Sequence, residues 1–166
     1  MKNRKKGFSL VELLIVLAVI AALIATITPV ALNAIRKAQA TKVAQNIKTL
    51  ASALENAAYV NGVSSNQIMR DVSNTFSGSA DISYLGRDID SGNYGVWYKY
   101  DNGKVNAVVF SKESIDTQTA KTVLEDLKDK TEVSTYMAVF TGTYVTLGLT
   151  TTTDAVIYYF FEFNVY

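Results

Sequence analysis

From Leu13 to Leu32 the chain runs for 20 residues without a charge, broken only by Thr26, Thr28 and Pro29. At about 1.5 Å per residue, such a run crosses a hydrocarbon layer of about 30 Å as a helix. A transmembrane span is therefore expected at about 13–32. Beyond it the pattern becomes one-sided. Ile35, Val43, Ile47, Leu50 and Leu54 recur at helical spacings, with Ala34, Ala38, Ala44, Ala51 and Ala57 beside them. Arg36, Lys37, Lys42 and Lys48 fall elsewhere on the cylinder, either as a solvated face or in contact with acidic neighbours or lipid headgroups. The pattern predicts one N-terminal helix over 8–58, apolar all round in its first half and amphipathic in its second. Pro29 lacks an N–H and crowds the carbonyl of Ala25, so a kink or local unwinding is expected there. Asn61-Gly62 supplies the chemistry of a helix stop.

The remainder, 59–166, reads as a globular head. Residues 63–93 are rich in Ser, Asn, Asp and Gly and form an irregular connection, with a short helix near Asn66–Val72 and an anchor at Tyr84-Leu85. Tyr94–Tyr100 and Val105–Ser111 flank Asn102-Gly103, a two-residue hairpin signal. Counting back from the turn pairs Tyr100 with Val105, Tyr98 with Ala107 and Val96 with Val109 on one face; Trp97 meets Val108 on the other. These aromatics read as cross-strand core pairs in preference to a ligand platform. Ile115–Lys130 reads as a second helix, because Ala120, Val123, Leu124 and Leu127 share a helical period. Tyr136–Phe140 and Tyr144–Leu149 read as strands. The last segment, Ala155–Tyr166, is expected as a strand with Ile157, Tyr159, Phe161, Phe163 and Val165 on one face, its aromatic-rich end packed. The fold class is α+β: a long N-terminal α-helix, half transmembrane and half amphipathic, packed on an antiparallel β-sheet head of four or more strands.

Composition narrows the chemistry. The chain has neither Cys nor His, which excludes disulfides, thiolate metal sites, cysteine nucleophiles and any imidazole base. Packing must supply all the stability. The net charge of +1 conceals an asymmetry: Lys2, Arg4, Lys5 and Lys6 crowd the start, while from Tyr59 onward 8 basic residues face 13 acidic ones. An acidic head gives no general attraction for nucleic acid, so nucleic acid as a partner finds no support in charge. Asp88-Ile89-Asp90-Ser91-Gly92-Asn93 lacks the sixth-position Gly and distal Glu of a calcium-binding EF-hand loop and reads as an Asp-rich turn. No catalytic, cofactor or metal site is expected, and the chain reads as a non-enzyme.

The basic start places Met1 in the cytoplasm and the head outside. A secretory signal cleaved after Ala38-Gln39-Ala40, or a plain single-pass anchor, is compatible with that arrangement. Neither explains Glu12, a carboxylate opening the apolar run, where a charge costs about 2.5–3.5 kcal/mol at mid-bilayer and less near the interface. The segment Lys5-Lys6-Gly7-Phe8-Ser9-Leu10-Val11-Glu12-Leu13-Leu14-Ile15 resembles the processing site of type IV prepilins and pseudopilins. The resemblance implies a leader at 1–7, cleavage after Gly7 by a prepilin peptidase, and N-methylation of Phe8 by the same enzyme. It further implies retention of the apolar helix, with Glu12, Phe8 and Pro29 serving assembly. Pro29 stands where the family often has its Pro, whereas the mid-helix Gly of many members is absent from Val19-Ile20-Ala21-Ala22-Leu23. Implied partners are other pilin subunits in a homopolymer, the inner-membrane pilus assembly machinery and membrane lipid. The implied course runs from the cytoplasmic membrane to an extracellular pilus serving adhesion, motility or DNA uptake. A type II secretion pseudopilin and a tethered binding domain that never polymerises stay open as alternatives.

Overall fold

In a computed structural model, the described residues are 8–64, 67, 68 and 81–166. The chain divides into two compact units, Met1–Arg36 and Lys37–Tyr166. The expected leader at 1–7 lies outside the described residues, as does most of the short helix expected near Asn66–Val72. Of that helix, Gln67 is instead held in a two-residue bridge to Ser64.

Helix α1 (Leu10–Asn61) is a single run of 52 residues. It outlasts the expected end at 58 and stops where Gly62 takes φ +72° and donates its N–H to the Ala58 carbonyl at 2.9 Å. A left-handed residue there costs glycine nothing, and the bond closes the last turn. The helix passes through Pro29 without the expected local unwinding. Helices tolerate an internal proline where neighbouring groups take up the freed polar atoms.

Within the second unit, Ala40, Val43, Ala44, Ile47, Leu50, Ala51, Leu54 and Ala58 of α1 are buried. Ile35, expected on this face, is about half exposed, and Ala34 and Ala38 are exposed with it. The buried stripe packs on a five-stranded antiparallel sheet. Its strands are β1 (Tyr94–Asp101), β2 (Lys104–Ser111), β3 (Leu127–Asp129), β4 (Val145–Gly148) and β5 (Ile157–Asn164), ordered β3-β5-β2-β1-β4. The hairpin has the expected register, Tyr100 to Val105 and Trp97 to Val108, closed by Asn102 and Gly103 at φ 47° and 85°. Ile157, Tyr159, Phe161, Phe163 and Val165 all join the core between helix and sheet. Trp97, Val108, Phe110 and Tyr158 form a second cluster on the opposite face of the sheet.

Three expectations about the head are corrected. Helix α2 covers only Thr117–Val123; Leu124 is extended, and Leu127–Asp129 is an edge strand paired with Ile157–Tyr159. Threonines and valine are mediocre helix formers, and a continued helix would leave that stretch of β5 unpaired. Tyr136–Phe140 is not a strand: helix α3 (Ser134–Met137) and a 3-10 turn (Ala138–Phe140) occupy it. Val133, Met137 and Phe140 recur at spacings of four and three and together cover the second cluster. At the ends of their segments, Tyr84 is about half exposed beside buried Leu85, and Tyr166 is fully exposed although Val165 is buried.

Candidate processing and assembly segment

The first unit presents every described residue to its surroundings. Phe8 is 81% exposed, and the large apolar side chains from Leu10 to Ile35 are about half to three-quarters exposed. Its apolar window has a mean hydropathy of 2.9, long and apolar enough to cross a membrane. The polar atoms inside this run are internally satisfied. Thr26 Oγ donates to the Leu23 carbonyl at 2.9 Å, and Thr28 Oγ donates to the Ile24 carbonyl at 2.7 Å. Such back-bonding hides hydroxyls from an apolar medium. Pro29 offers no N–H to the Ala25 carbonyl one turn earlier.

Glu12 stands at the third helical position, in the first turn. The Ser9 N–H points at Glu12 Oε2 from 3.5 Å, while Glu12 N–H and Leu13 N–H donate to the Ser9 carbonyl at 3.1 and 3.2 Å. Ser9-Leu10-Val11-Glu12 is therefore one half of a capping box, in which the third-position carboxylate reaches back to the cap residue's N–H. The Ser-x-x-Glu spacing ahead of an apolar run carries that signal in the sequence, and Ser9 adds to the residues picked out above. At 3.5 Å the contact is long, so the carboxylate is only weakly engaged within its own chain. The positive end of the helix dipole favours its charge in the same place. Phe8 and Glu12 thus share one helix start. Gly7 lies outside the described residues, and Pro29 lies far along the helix from both.

Among the described residues of the head, no group of three or more metal-ligating side chains occurs. In the Asp-rich turn, Asp90 accepts from the Gly92 N–H and the Asn93 amide, both at 2.8 Å, so its carboxylate is committed to the loop. Lys48, one of the four basic residues on α1, donates to the Tyr159 hydroxyl at 3.1 Å and helps seat the helix on β5. Asn46 donates to the Tyr94 hydroxyl at 3.1 Å, and burial pushes that phenol well above its ordinary range. At the sheet edge Lys121 bridges Asp129 and Glu132 at 2.9 and 2.7 Å. Hydrogen bonds, first from Thr131 and then from Lys121, hold Asp129 far below the usual carboxylate range.

Residues 2–28 match the family model of the prokaryotic N-terminal methylation motif. No curated protein matches the chain, and no solved structure does. The match covers the basic start, Gly7, Phe8, Glu12 and most of the apolar run. The chain thus carries the type IV prepilin-like signal motif at the head of a long helix whose first half is apolar.

Proposed function

We propose that the chain is the precursor of a structural subunit of a type IV pilus-like filament. A prepilin peptidase removes residues 1–7 by cutting after Gly7 and methylates the new amine of Phe8. The apolar first half of α1 stores the subunit in the cytoplasmic membrane, and assembly machinery there transfers it to a filament. The observation that carries this reading is the methylation motif over residues 2–28, joined without a break to a helix whose apolar half is exposed.

Cleavage changes the electrostatics at the helix start. Before it, the Phe8 nitrogen is a neutral amide and Glu12 has only the Ser9 N–H at 3.5 Å. After it, Phe8 carries a positive charge. A charge within an apolar assembly strongly favours a partner, and Glu12 of a neighbouring subunit supplies one. Proteolysis thereby turns a stored membrane protein into one able to polymerise.

Intact-mass measurement on protein sheared from cells tests the first step. The expected mass lacks residues 1–7 and includes one added methyl group. A product beginning at Thr41 would establish the secretory-signal reading in its place.

A further inference from the structure

The sheet ends unevenly on its β3 side. Strand β3 pairs with β5 only at Ile157, Tyr158 and Tyr159, whereas β5 continues to Asn164. The Val165 N–H donates to the Gly103 carbonyl at 2.7 Å, so odd-numbered residues of β5 turn their backbone polar groups toward β2. The alternation of an antiparallel ladder turns those of Glu162 and Asn164 the other way. Among the described residues nothing pairs with the backbone of either on that side. Beside this open edge, on the face away from α1, lies a cavity of about 230 Å³ lined by Tyr136, Val139, Phe140 and Phe160. Two residues beyond Asn164, Tyr166 is fully exposed.

We propose that this edge docks a second copy of the chain, antiparallel, in the register that sets Phe163 opposite its own counterpart. Unpaired strand edges are templates for another strand, and the choice of register follows from charge and space. A register centred on Glu162 drives Tyr166 of the second copy against Tyr158, which Lys128 already holds, and sets two carboxylates, each paired to its own Lys104 at 2.7 Å, directly opposite each other. One centred on Phe161 drives Asn164 of the second copy against Tyr158, which Lys128 already holds. Centred on Phe163, Glu162 faces Asn164 of the second copy and the reverse, so carboxylate meets amide twice. Both open residues gain backbone partners, and Tyr166 of the second copy arrives at the mouth of the cavity beside Phe160.

The contact is isologous, with its two-fold axis normal to the sheet. The strands of the two heads therefore run in opposite directions. The pairing goes beyond polymerisation through α1 and stands or falls separately from it.

The chain has no cysteine, so engineered thiols report the register. Opposed residues across an antiparallel pair sit about 5.5 Å apart at Cα, within disulfide range. Full-length E162C and N164C, both at exposed positions, are purified in detergent, mixed and mildly oxidised. The mixture is expected to give covalent dimer severalfold above either variant alone. It should also exceed E162C mixed with T146C, whose thiol lies on the far edge strand. Equal yields from E162C alone, or from the T146C mixture, overturn the register, and absence of dimer overturns the docking. Unmodified chain gives a second reading: exchange of the Glu162 and Asn164 amide hydrogens should slow severalfold as protein concentration rises. Exchange independent of concentration counts against the pair.

Discussion

Glu12 is the one ionisable side chain between Phe8 and Arg36, and its surroundings change with each step of the proposed pathway. In the uncleaved chain it caps its own helix weakly; in a filament it would face an amine. Glu12→Gln keeps the length and shape of the side chain and removes only the charge. Unpairing a buried charge costs about 3–5 kcal/mol, so this variant is expected to be cleaved and inserted yet to yield little filament. Immunoblot mobility and the quantity of sheared filament, measured on the same cells, check both halves; normal yield from processed protein removes the charge-pairing mechanism. A second residue-scale effect belongs to the head. Asp129, bound by Thr131 and Lys121, is held below the range of an unfolded aspartate. A depressed folded value means its contribution is complete above about pH 4 and is lost as pH falls toward the folded value. The pair is partly exposed, at 21% and 26%, and exposed pairs contribute at most about 1 kcal/mol. Asp129→Asn should therefore destabilise by roughly that amount at pH 7 and by progressively less below pH 4, as read from denaturant midpoints across pH.

Elements were legible in the sequence to the extent that their causes are local. The Asn102-Gly103 turn fixes its own hairpin, because only a pair of left-handed residues matches the strand twist, and each register partner follows from counting. Gly62 marks the end of α1 by the same kind of local chemistry. The apolar run and its Lys-Lys-Gly-Phe opening are likewise contiguous. Strand β3 is the opposite case. Leu127 sits seven residues after Ala120, so a helical period includes it, yet its burial comes from pairing with Tyr159 far along the chain. Nothing near Leu127 announces that partner. Tyr136–Phe140 departs from the expected strand for a different reason: a helical period runs through Val133, Met137 and Phe140, while the segment's aromatic and β-branched content favours a strand. Strand β5 is the element on which both faces of the head depend, since it pairs with β2 and β3 and feeds both apolar clusters. Deleting Tyr158–Tyr166 strips Tyr159, Phe163 and Val165 from one core and Tyr158 and Phe160 from the other. Loss of a cooperative thermal transition is the expected outcome, and an unchanged melting curve would show that the last strand is dispensable.

At the scale of the whole molecule, the two units have opposite relations to water. Every described residue from Phe8 to Gln39 is exposed, and the buried stripe of α1 begins at Ala40. Among the described residues, the head's core is assembled from positions 40–165 and none of it comes from 8–39. The first unit carries a row of exposed leucines, isoleucines and valines, each worth about 1.5–3 kcal/mol when taken out of water. Such a surface requires lipid, detergent or another subunit. A chain beginning at Ala34 discards that surface and keeps one full turn of helix ahead of the first buried alanine. It also keeps the Lys48–Tyr159 and Asn46–Tyr94 bonds that fasten α1 to the sheet. The fragment is therefore expected to be soluble without detergent, to show mixed helix and strand by circular dichroism, and to melt in one cooperative step. The full chain should need detergent to stay in solution. A fragment that is soluble but melts without cooperativity would mean that residues before Ala34 help hold the head together. That result would contradict the placement of the whole core beyond Gln39.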